Sequence, residues 1–323
     1  MSLLHKFLFE GLPVRGMRVF LGDVWQEVLA RRADNRETGP YPEPVRRLLG
    51  EMTAAAVLMQ SNIKFQGALV MQILGDGPVK LAVVEVQPDL RFRTTAKVVG
   101  TVSEDAGLVD LVNRQGQGRC AITLDPIDKQ PGQQPYQGVV PLSDAQGQPL
   151  TQLAAVIEHY MWQSEQLDAR LVLASDDRCA AGLMIQRLPV TGQDNLSARS
   201  TAAEQDQLGH NEDYNRIATL AASVQRDELL GLDAQTLLHR LFWQEQVRLF
   251  DPQVPRFACA CSRERVENMI RGLGQAEADS VIAERSELEV GCDFCGRQYR
   301  FDAVDVAQLF SAQAASPGSP SLQ

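Results

Sequence analysis

Long hydrophobic runs and a surplus of basic residues are both missing from this 323-residue sequence. It has no stretch of about 18 uncharged apolar residues, so we expect no segment to span a bilayer. The net charge is −10, and such a field repels phosphate backbones and anionic lipid surfaces. No long apolar stretch typical of a signal peptide precedes Glu10. We therefore expect a cytoplasmic protein whose partners include neither nucleic acid nor a membrane.

Motifs of enzyme active sites are missing as well. The four histidines are scattered at positions 5, 159, 210 and 239, and none lies in an HExxH, GxSxG or triad context. Gly75 to Pro78 lacks the later glycine and lysine of a phosphate-binding loop, and strand-like residues flank it on both sides, which is typical of a hairpin turn. We therefore expect that the protein is not an enzyme.

The first 190 residues carry the patterns of a mixed α/β domain with a mainly antiparallel sheet. Apolar residues at helical spacing predict a buried helix from Pro44 to Gln60 and an amphipathic helix from Leu150 to Ser164. Asp23 is expected to cap another helix, from Val24 to Arg31. Strand-like runs are predicted at 6–9, 17–21, 68–74, 79–86, 91–99, 119–124, 137–140, 171–174 and 182–188, the last two completing the sheet.

A polar stretch marks the expected end of this domain, so a linker is predicted at 191–255. Residues 191–211 contain too few apolar side chains to offset the entropy of ordering them. Two amphipathic helices are predicted to follow, at Tyr214–Leu230 and at Ala234–Gln244, with Asp233 capping the second. The end of the chain, 311–323, is rich in Ser, Ala, Pro and Gly and is predicted to be a disordered tail.

Four of the six cysteines form two close pairs near the end of the sequence. Cys259 and Cys261 make the first pair, and Cys292 and Cys295 follow after a gap of thirty residues. In a reducing compartment, such clustering favours a metal site over a permanent disulfide framework. Zinc prefers tetrahedral surroundings and soft sulfur ligands, and four thiolates fill every position. We expect one Zn²⁺ bound by these four cysteines, with no position left for a substrate.

The residues around the cysteine pairs, 256–310, predict a small domain built on the metal. Ser262 is expected to cap a helix, residues 288–292 and 299–301 alternate like two strands, and Asp302 is expected to cap a last helix. The predicted apolar face of the first helix comprises Val266, Met269, Ile270 and Leu273. Because the segment has little other apolar material, its stability is expected to depend on the metal, which contributes about 10–16 kcal/mol in small zinc modules.

The chemistry of the cluster leaves two interpretations open. A Cys₄ site is most often a permanent structural element, yet oxidation of thiolates to disulfides or sulfenic acids would release zinc and make the site a sensor. Arginines at 256, 263, 265, 297 and 300 are expected to offset the negative charge of the zinc–thiolate cluster. Cys120 and Cys179 lie in or beside strand-like segments and are expected to be small, inert residues without a redox role.

The cysteine motifs resemble those of a known family. The strings CACSRER at 259–265 and CDFCGRQYRF at 292–301 closely resemble the zinc domain of the heat shock protein 33 family of redox-regulated bacterial chaperones. Further family-like segments occur in the family's order, at 14–16, 41–45, 75–78, 136–140, 164–166 and 180–186. The resemblance covers nearly the whole chain; Arg93-Thr94-Thr95, where an Arg-Gly pair is usual, is one departure from the family pattern.

This resemblance implies an ATP-independent holdase chaperone for unfolded client proteins under oxidative stress. It implies a reduced, zinc-bound form that is inactive and an oxidised form with Cys259–Cys261 and Cys292–Cys295 disulfides, without zinc, and with an unfolded linker. The active form is expected to be a homodimer. The residues expected to be covered in the inactive form and to contact clients after release are Ile217, Leu220, Val224, Leu237, Leu241 and Phe242.

Two rival functions come from other classes. A thiol–disulfide oxidoreductase would use the Cys292–Cys295 pair, but a thioredoxin-like motif should open a helix after a strand. A structural zinc-ribbon module could bind protein or RNA, although the acidic balance argues against RNA. The sequence as a whole therefore favours an α+β chaperone domain at 1–190, a helical linker and a small C-terminal zinc-binding domain.

Overall fold

The computed structural model of the chain describes residues 1–35, 38–128, 134–188 and 211–314, and most of the polar stretch and tail expected from the sequence lie outside them. The strands are β1 Leu3–Phe9, β2 Val14–Leu21, β3 Gly67–Leu74, β4 Val79–Val86, β5 Arg91–Val98, β6 Arg119–Pro126, β7 Tyr136–Pro141, β8 Ala169–Ser175, β9 Ala180–Arg187, β10 Val247–Leu249, β11 Arg256–Phe257, β12 Leu288–Gly291 and β13 Gln298–Phe301. The helices are α1 Asp23–Ala33, α2 Glu43–Asn62, α3 Leu108–Val112, α4 Leu153–Glu165, α5 Glu212–Ala222, α6 Arg226–Gly231, α7 Ala234–Phe242, α8 Arg263–Leu273, α9 Gln275–Arg285 and α10 Ala303–Ala314. The expected α+β class is confirmed.

The strands of the body form two sheets. The first sheet has the order β10-β1-β2-β9-β8, and the second has the order β11-β5-β4-β3-β6-β7. The expectation that β8 and β9 complete the same sheet as the β3–β5 meander is wrong, because β9 pairs with β2 over eight residues. All eight residues of β9 are buried. Such a strand needs neighbours on both sides and cover on both faces, which the central position in the first sheet provides.

Helix α2 lies between the two sheets and forms the main core. Fourteen of its twenty residues are buried, as the uninterrupted helical spacing of apolar residues predicted. The same core contains Met17 and Met184 from the first sheet and Met71 and Val84 from the second. Because both faces of the helix contact a sheet, α2 is apolar nearly all round.

Helices α5, α6 and α7 cover the other face of the first sheet and make a second core. Phe7, Phe9 and Leu183 of the sheet pack there with Ile217 and Leu237 of the helices. The second face of the first sheet is therefore buried by residues that follow the polar stretch.

Several helix ends differ from the sequence-based expectation. A single helix was predicted at Tyr214–Leu230, but α5 ends at Ala222 and α6 begins at Arg226, because the Glu228 carboxylate accepts a hydrogen bond from the Gln225 N–H at 3.0 Å and starts a new helix there.

Asp23 is the first helical residue rather than the cap of α1, which is Gly22, while Asp233 caps α7 as predicted. Helix α10 continues to Ala314, so residues 311–314 are helical rather than part of a disordered tail.

Gly50 marks the closest approach of α2 to the first sheet. A Cβ atom at this position would lie 1.9 Å from Ser175 Oγ and 2.6 Å from Ser175 Cβ. We expect Gly50→Ala to lower the free energy of unfolding by about 1–3 kcal/mol because the added methyl overpacks a rigid core. Gly231→Ala is the control, since a Cβ atom at that position would have no neighbour within 4 Å. Urea unfolding of both variants measures the difference, and equal stability would contradict the close packing.

Candidate metal centre

The structure brings the four C-terminal cysteines into one cluster. Cys259 and Cys261 follow β11, while Cys292 and Cys295 lie in the turn that joins β12 to β13. All four are free thiols, and their sulfur atoms lie within 4.8 Å of one another. Cys295 is buried and the other three are partly buried. The cluster is therefore largely screened from solvent although its residues come from two segments thirty residues apart.

The sulfur positions suit a tetrahedral metal ion. Cys259 Sγ lies 3.5 Å from Cys292 Sγ, and Cys261 Sγ lies 3.3 Å from Cys295 Sγ. Four sulfurs bound to zinc at about 2.3 Å would be about 3.8 Å apart, within the range found here. Each close contact joins one cysteine of the first pair to one of the second. A single ion bound between them would thus link β11 to the β12–β13 hairpin.

Local backbone geometry holds the second cysteine pair in place. The Cys292 N–H donates to the Arg297 carbonyl at 2.9 Å, and the Gly296 N–H donates to the Cys292 carbonyl at 2.8 Å. Gly296 has a φ of 71°, a conformation that glycine adopts without the steric cost of a Cβ atom. These bonds close a tight turn that points both sulfurs to the same side.

The thiols differ in how readily they ionise. Burial opposes ionisation of Cys261, but the Tyr299 hydroxyl donates a hydrogen bond to its sulfur at 3.2 Å, and this bond together with those from the neighbouring thiols lowers the Cys261 pKa to about 7. Burial raises the pKa of both Cys292 and Cys295. Tyr299 therefore donates a hydrogen bond to the cluster, which the strand pattern of the sequence did not predict.

Arg93 of β5 is the other contributor that sequence reasoning missed. Burial lowers its pKa, but hydrogen bonds to Glu85 and to the Cys259 side chain outweigh this and raise the pKa above its ordinary value. Its guanidinium lies 4.3 Å from the centre of the Phe294 ring, inside the second cysteine pair. No local sequence signal indicated this role, because only the fold brings β5 beside the cysteines.

Of the five arginines expected to offset the cluster charge, Arg297 lies beside the cluster, where a hydrogen bond with Tyr299 and the charges of Cys261 and Cys295 raise its pKa. Two others are engaged elsewhere. Arg263 lies 3.0 Å from an Asp305 oxygen, and Arg300 lies 3.0 Å from a Glu289 oxygen. Both pairs are at the surface, where an ion pair is worth about 1 kcal/mol or less. These contacts tie together the strands and helices around the cysteines, β12, β13 and α8–α10, which we call the cysteine module. Arg93, which belongs to the body of the protein, provides a positive charge beside a cluster sulfur.

The cysteine module has a small apolar core, in which Ala278, Val306 and Leu309 join residues of the predicted helix face and strands. Its buried members are Val266, Ile270, Ala278, Leu288, Tyr299, Phe301, Val306 and Leu309. The predicted face of α8 is only half right, because Met269 and Leu273 are 48% and 57% exposed. Val266 and Ile270, at positions i and i+4, lie in the module core, and the other two do not.

Cys120 and Cys179 lie far from the cluster in sequence and are buried, as expected. Burial raises the pKa of Cys120 to about 12 and that of Cys179 to about 11. Neutral buried thiols of this kind behave as small apolar side chains.

The six residues expected to be covered in the inactive form lie on α5, on α7 or just after α5. Ile217, Val224, Leu237, Leu241 and Phe242 are buried against the first sheet, and Leu220 is partly buried at its margin. The helices thus hide the side chains that are expected to contact clients. No helix in the described parts of the chain is long and apolar enough to cross a membrane.

Two sheets around a central helix, joined through helices to a module with four clustered thiols, define an α+β protein with a C-terminal candidate metal centre. The family model described as Hsp33 protein matches residues 2–302, and the chain belongs to this family. Two relatives, from Chromobacterium violaceum and Methylobacillus flagellatus, are both named 33 kDa chaperonin. The first is 43% identical over 95% of this chain and 93% of its own length. The second is 41% identical over 98% of this chain and 97% of its own length.

The fold also has a counterpart among solved structures. The 33 kDa chaperonin (heat shock protein 33 homologue) of Thermotoga maritima matches 98% of this chain and 100% of its own, with a TM-score of 0.73. The identity between the two chains is 18%, so this match concerns the fold alone.

The geometry of the cluster predicts tetrahedral binding of one metal ion per chain. Reduced protein reconstituted with Co²⁺ should take up one ion and show the visible absorption of tetrahedral sulfur coordination. Cys292→Ser should lose this spectrum because one of the four sulfur ligands is gone. Cys120→Ser, which changes a buried cysteine outside the cluster, should keep both stoichiometry and spectrum. A Cys292→Ser variant with an unchanged spectrum would contradict the assignment.

Proposed function

We propose that the protein is a redox-regulated, ATP-independent holdase chaperone of the cytoplasm, without catalytic activity. The relatives' name supports a chaperone, and the four clustered thiols support control by oxidation. The single observation that carries the proposal is the second core, where helices following residue 211 cover one whole apolar face of the first sheet. Removing these helices would uncover a surface suited to unfolded client proteins.

In the proposed inactive form, Cys259, Cys261, Cys292 and Cys295 hold one Zn²⁺. The chemistry of the metal is structural, because four thiolates complete its coordination and leave no place for a substrate. Among the described residues, the module core has only eight buried members. A structural zinc ion contributes about 10–16 kcal/mol to small modules, so this core would not hold the fold without it.

Activation is proposed to begin with oxidation of the thiols. Each pair of thiolates, Cys259–Cys261 and Cys292–Cys295, gives up two electrons to a peroxide and forms a disulfide. The peroxide takes up two protons from solvent and is reduced to water and an alcohol or a second water. The closest sulfur contacts run between the pairs rather than within them. Once the ion leaves, each pair is joined by a short chain and can close its own ring.

The division of the chain follows from this proposal. Residues 1–190 form the chaperone domain, 191–255 the linker, 256–310 the zinc domain and 311–323 the tail. The linker would lose its helices once the zinc domain unfolds, because β11 and the segment before it connect the two directly. The released chain is proposed to form a homodimer and to bind clients through the uncovered sheet face and through Ile217, Leu220, Val224, Leu237, Leu241 and Phe242.

The rival oxidoreductase function finds no support in the site. The Cys292–Cys295 turn leads into strand β13 rather than into a helix. A helix N-terminus after the first cysteine is what lowers its pKa in thioredoxin-like enzymes, whereas burial raises the pKa of Cys292 here.

The decisive experiment compares reduced and oxidised protein. The reduced, zinc-loaded protein is treated with hydrogen peroxide at elevated temperature while zinc release is measured with a chromophoric chelator. Aggregation of a heat-unfolded test protein is then followed by light scattering. We expect suppression of aggregation only after oxidation and zinc release. Zinc release without any suppression would contradict the chaperone proposal.

A second prediction concerns helices α5–α7, which cover the first sheet and which we call the cover helices. It tests the aromatic contact between Phe242 and the sheet. Phe242 is 2% exposed, and its ring centre lies 4.9 Å from that of Phe9. Phe242→Ala should destabilise the covered state by about 3–5 kcal/mol. The variant should therefore suppress aggregation at lower oxidant or temperature than the wild type does. Trp243→Ala is the matched control, since Trp243 is 68% exposed.

Hydrogen exchange of the α5–α7 amides in the reduced protein measures directly how readily these helices open. Faster exchange in Phe242→Ala than in Trp243→Ala is the expected result. Equal exchange, or equal activation thresholds for the two variants, would show that the cover helices do not control activity.

A further inference from the structure

The outer edge of the first sheet is closed by a short extended segment, residues 246–253, which we call the closing segment. It contains β10 and runs antiparallel to β1. The Glu10 N–H donates to the Gln246 carbonyl at 2.9 Å, and the Phe250 N–H donates to the Lys6 carbonyl at 2.9 Å. Leu4 and Gln253 exchange two hydrogen bonds of 2.8 Å. Phe7, Leu8 and Phe9 thus pair with β10, and Leu4, Lys6 and Glu10 are hydrogen-bonded to residues on either side of it.

Side chains contribute little to holding the closing segment in place. Leu249 and Phe250 are 39% and 42% exposed, and of its eight residues only Val247 is partly buried. The attachment therefore depends mainly on the backbone hydrogen bonds, which any extended chain can make. A sheet edge of this kind accepts a strand of another sequence once its own partner leaves.

The side-chain pattern of the closing segment indicates which other strands could pair with the β1 edge. Val247 lies opposite Phe9, and Leu249 lies opposite Phe7, so these two side chains are on the face of the sheet that α5–α7 cover. An extended strand with apolar residues at alternate positions would place them over Phe7 and Phe9. Unfolded proteins contain many such stretches, with backbone groups that have no partner in a sheet.

We propose that the β1 edge is a client-binding site, where an extended, alternately apolar segment of an unfolded protein replaces residues 246–253 and pairs with β1. This inference rests on the proposed holdase function and names the way in which a client is held. The closing segment then acts as an internal competitor, which occupies the edge in the reduced form. Backbone pairing also explains how one site would accept unrelated sequences, because it does not depend on particular side chains.

The first test uses labelled peptides of strand length and the oxidised full-length protein. One peptide is unmodified, one is N-methylated at alternate residues so that one of its edges stays able to pair, and one is N-methylated at two consecutive central residues so that both edges are blocked. Fluorescence anisotropy should show similar affinity for the first two peptides. The third should bind at least about tenfold more weakly, equivalent to about 1.4 kcal/mol. Equal affinity for all three would overturn the proposal.

The second test opens the edge without oxidation. Because hydrogen-bonded positions alternate in an antiparallel pair, the Arg248 N–H faces β1 and the Leu249 N–H faces away. Arg248→Pro should therefore let the reduced, zinc-bound protein bind the unmodified peptide several-fold more tightly than the wild type. Leu249→Pro should not, and Arg248→Ala controls for the lost contact of the Arg248 side chain with Glu10 at 3.3 Å. The same weak binding by Arg248→Pro and Leu249→Pro would overturn the proposal.

The outcomes separate this inference from the proposed function. Oxidised protein that suppresses aggregation but binds all three peptides equally would leave the holdase intact and remove the edge site. Oxidised protein that neither suppresses aggregation nor binds any peptide would refute the holdase itself. Light scattering of the oxidised protein detects a dimer, and a dimer that excludes the peptides would assign the edge to a second copy of the chain and overturn the proposal.

Discussion

The first sheet has two apolar faces, and the need to bury both of them governs the rest of the structure. One face packs on α2, which it shares with the second sheet. The other face is covered by helices α5–α7, not by the described residues before 189. Phe7 and Phe9 of β1 lie beneath Phe242, within aromatic contact. Burial of a large side chain is worth about 1.5–3 kcal/mol, so each large apolar residue that α5–α7 bury contributes to holding these helices on the sheet.

The cysteine cluster is connected to this cover through the backbone. Residues 246–253 pair with β1, and β11 then pairs with Arg91 and Phe92 of β5 in the other sheet before the chain reaches Cys259. The module also contacts the body directly, since the Thr95 hydroxyl donates to the Asp293 carbonyl at 2.8 Å and Arg93 stacks on Phe294. The chain leading to the module therefore pairs with both sheets, and the module itself contacts β5. This arrangement makes the metal centre a suitable control point for the proposed function.

Much of this could be predicted from the sequence, where the signal is local. The buried helix at Pro44–Gln60, the β3–β5 meander, the Asp233 cap and the cysteine pairs were all identified by spacing and turn chemistry, and the structure has the helix, the meander and the cap. Long-range pairings could not be predicted in this way. Nothing local in β8 or β9 distinguishes a meander partner from a partner of β2, and the position of Arg93 beside Cys259 depends on which strand forms the neighbouring edge. The metal-binding role of the cysteines stays a prediction.

The order of the elements along the chain has a consequence for reversibility. All ladders among β1 to β9 are formed by residues before 188, and the described residues from 211 to 314 add only the two short outer strands, helices α5–α7 and the module. The later residues can leave and return from one end, without threading through the body or breaking a central ladder. Under the proposed control by oxidation, renewed reduction of the thiols would require only the C-terminal third of the chain to refold, on two sheets whose central ladders had stayed paired.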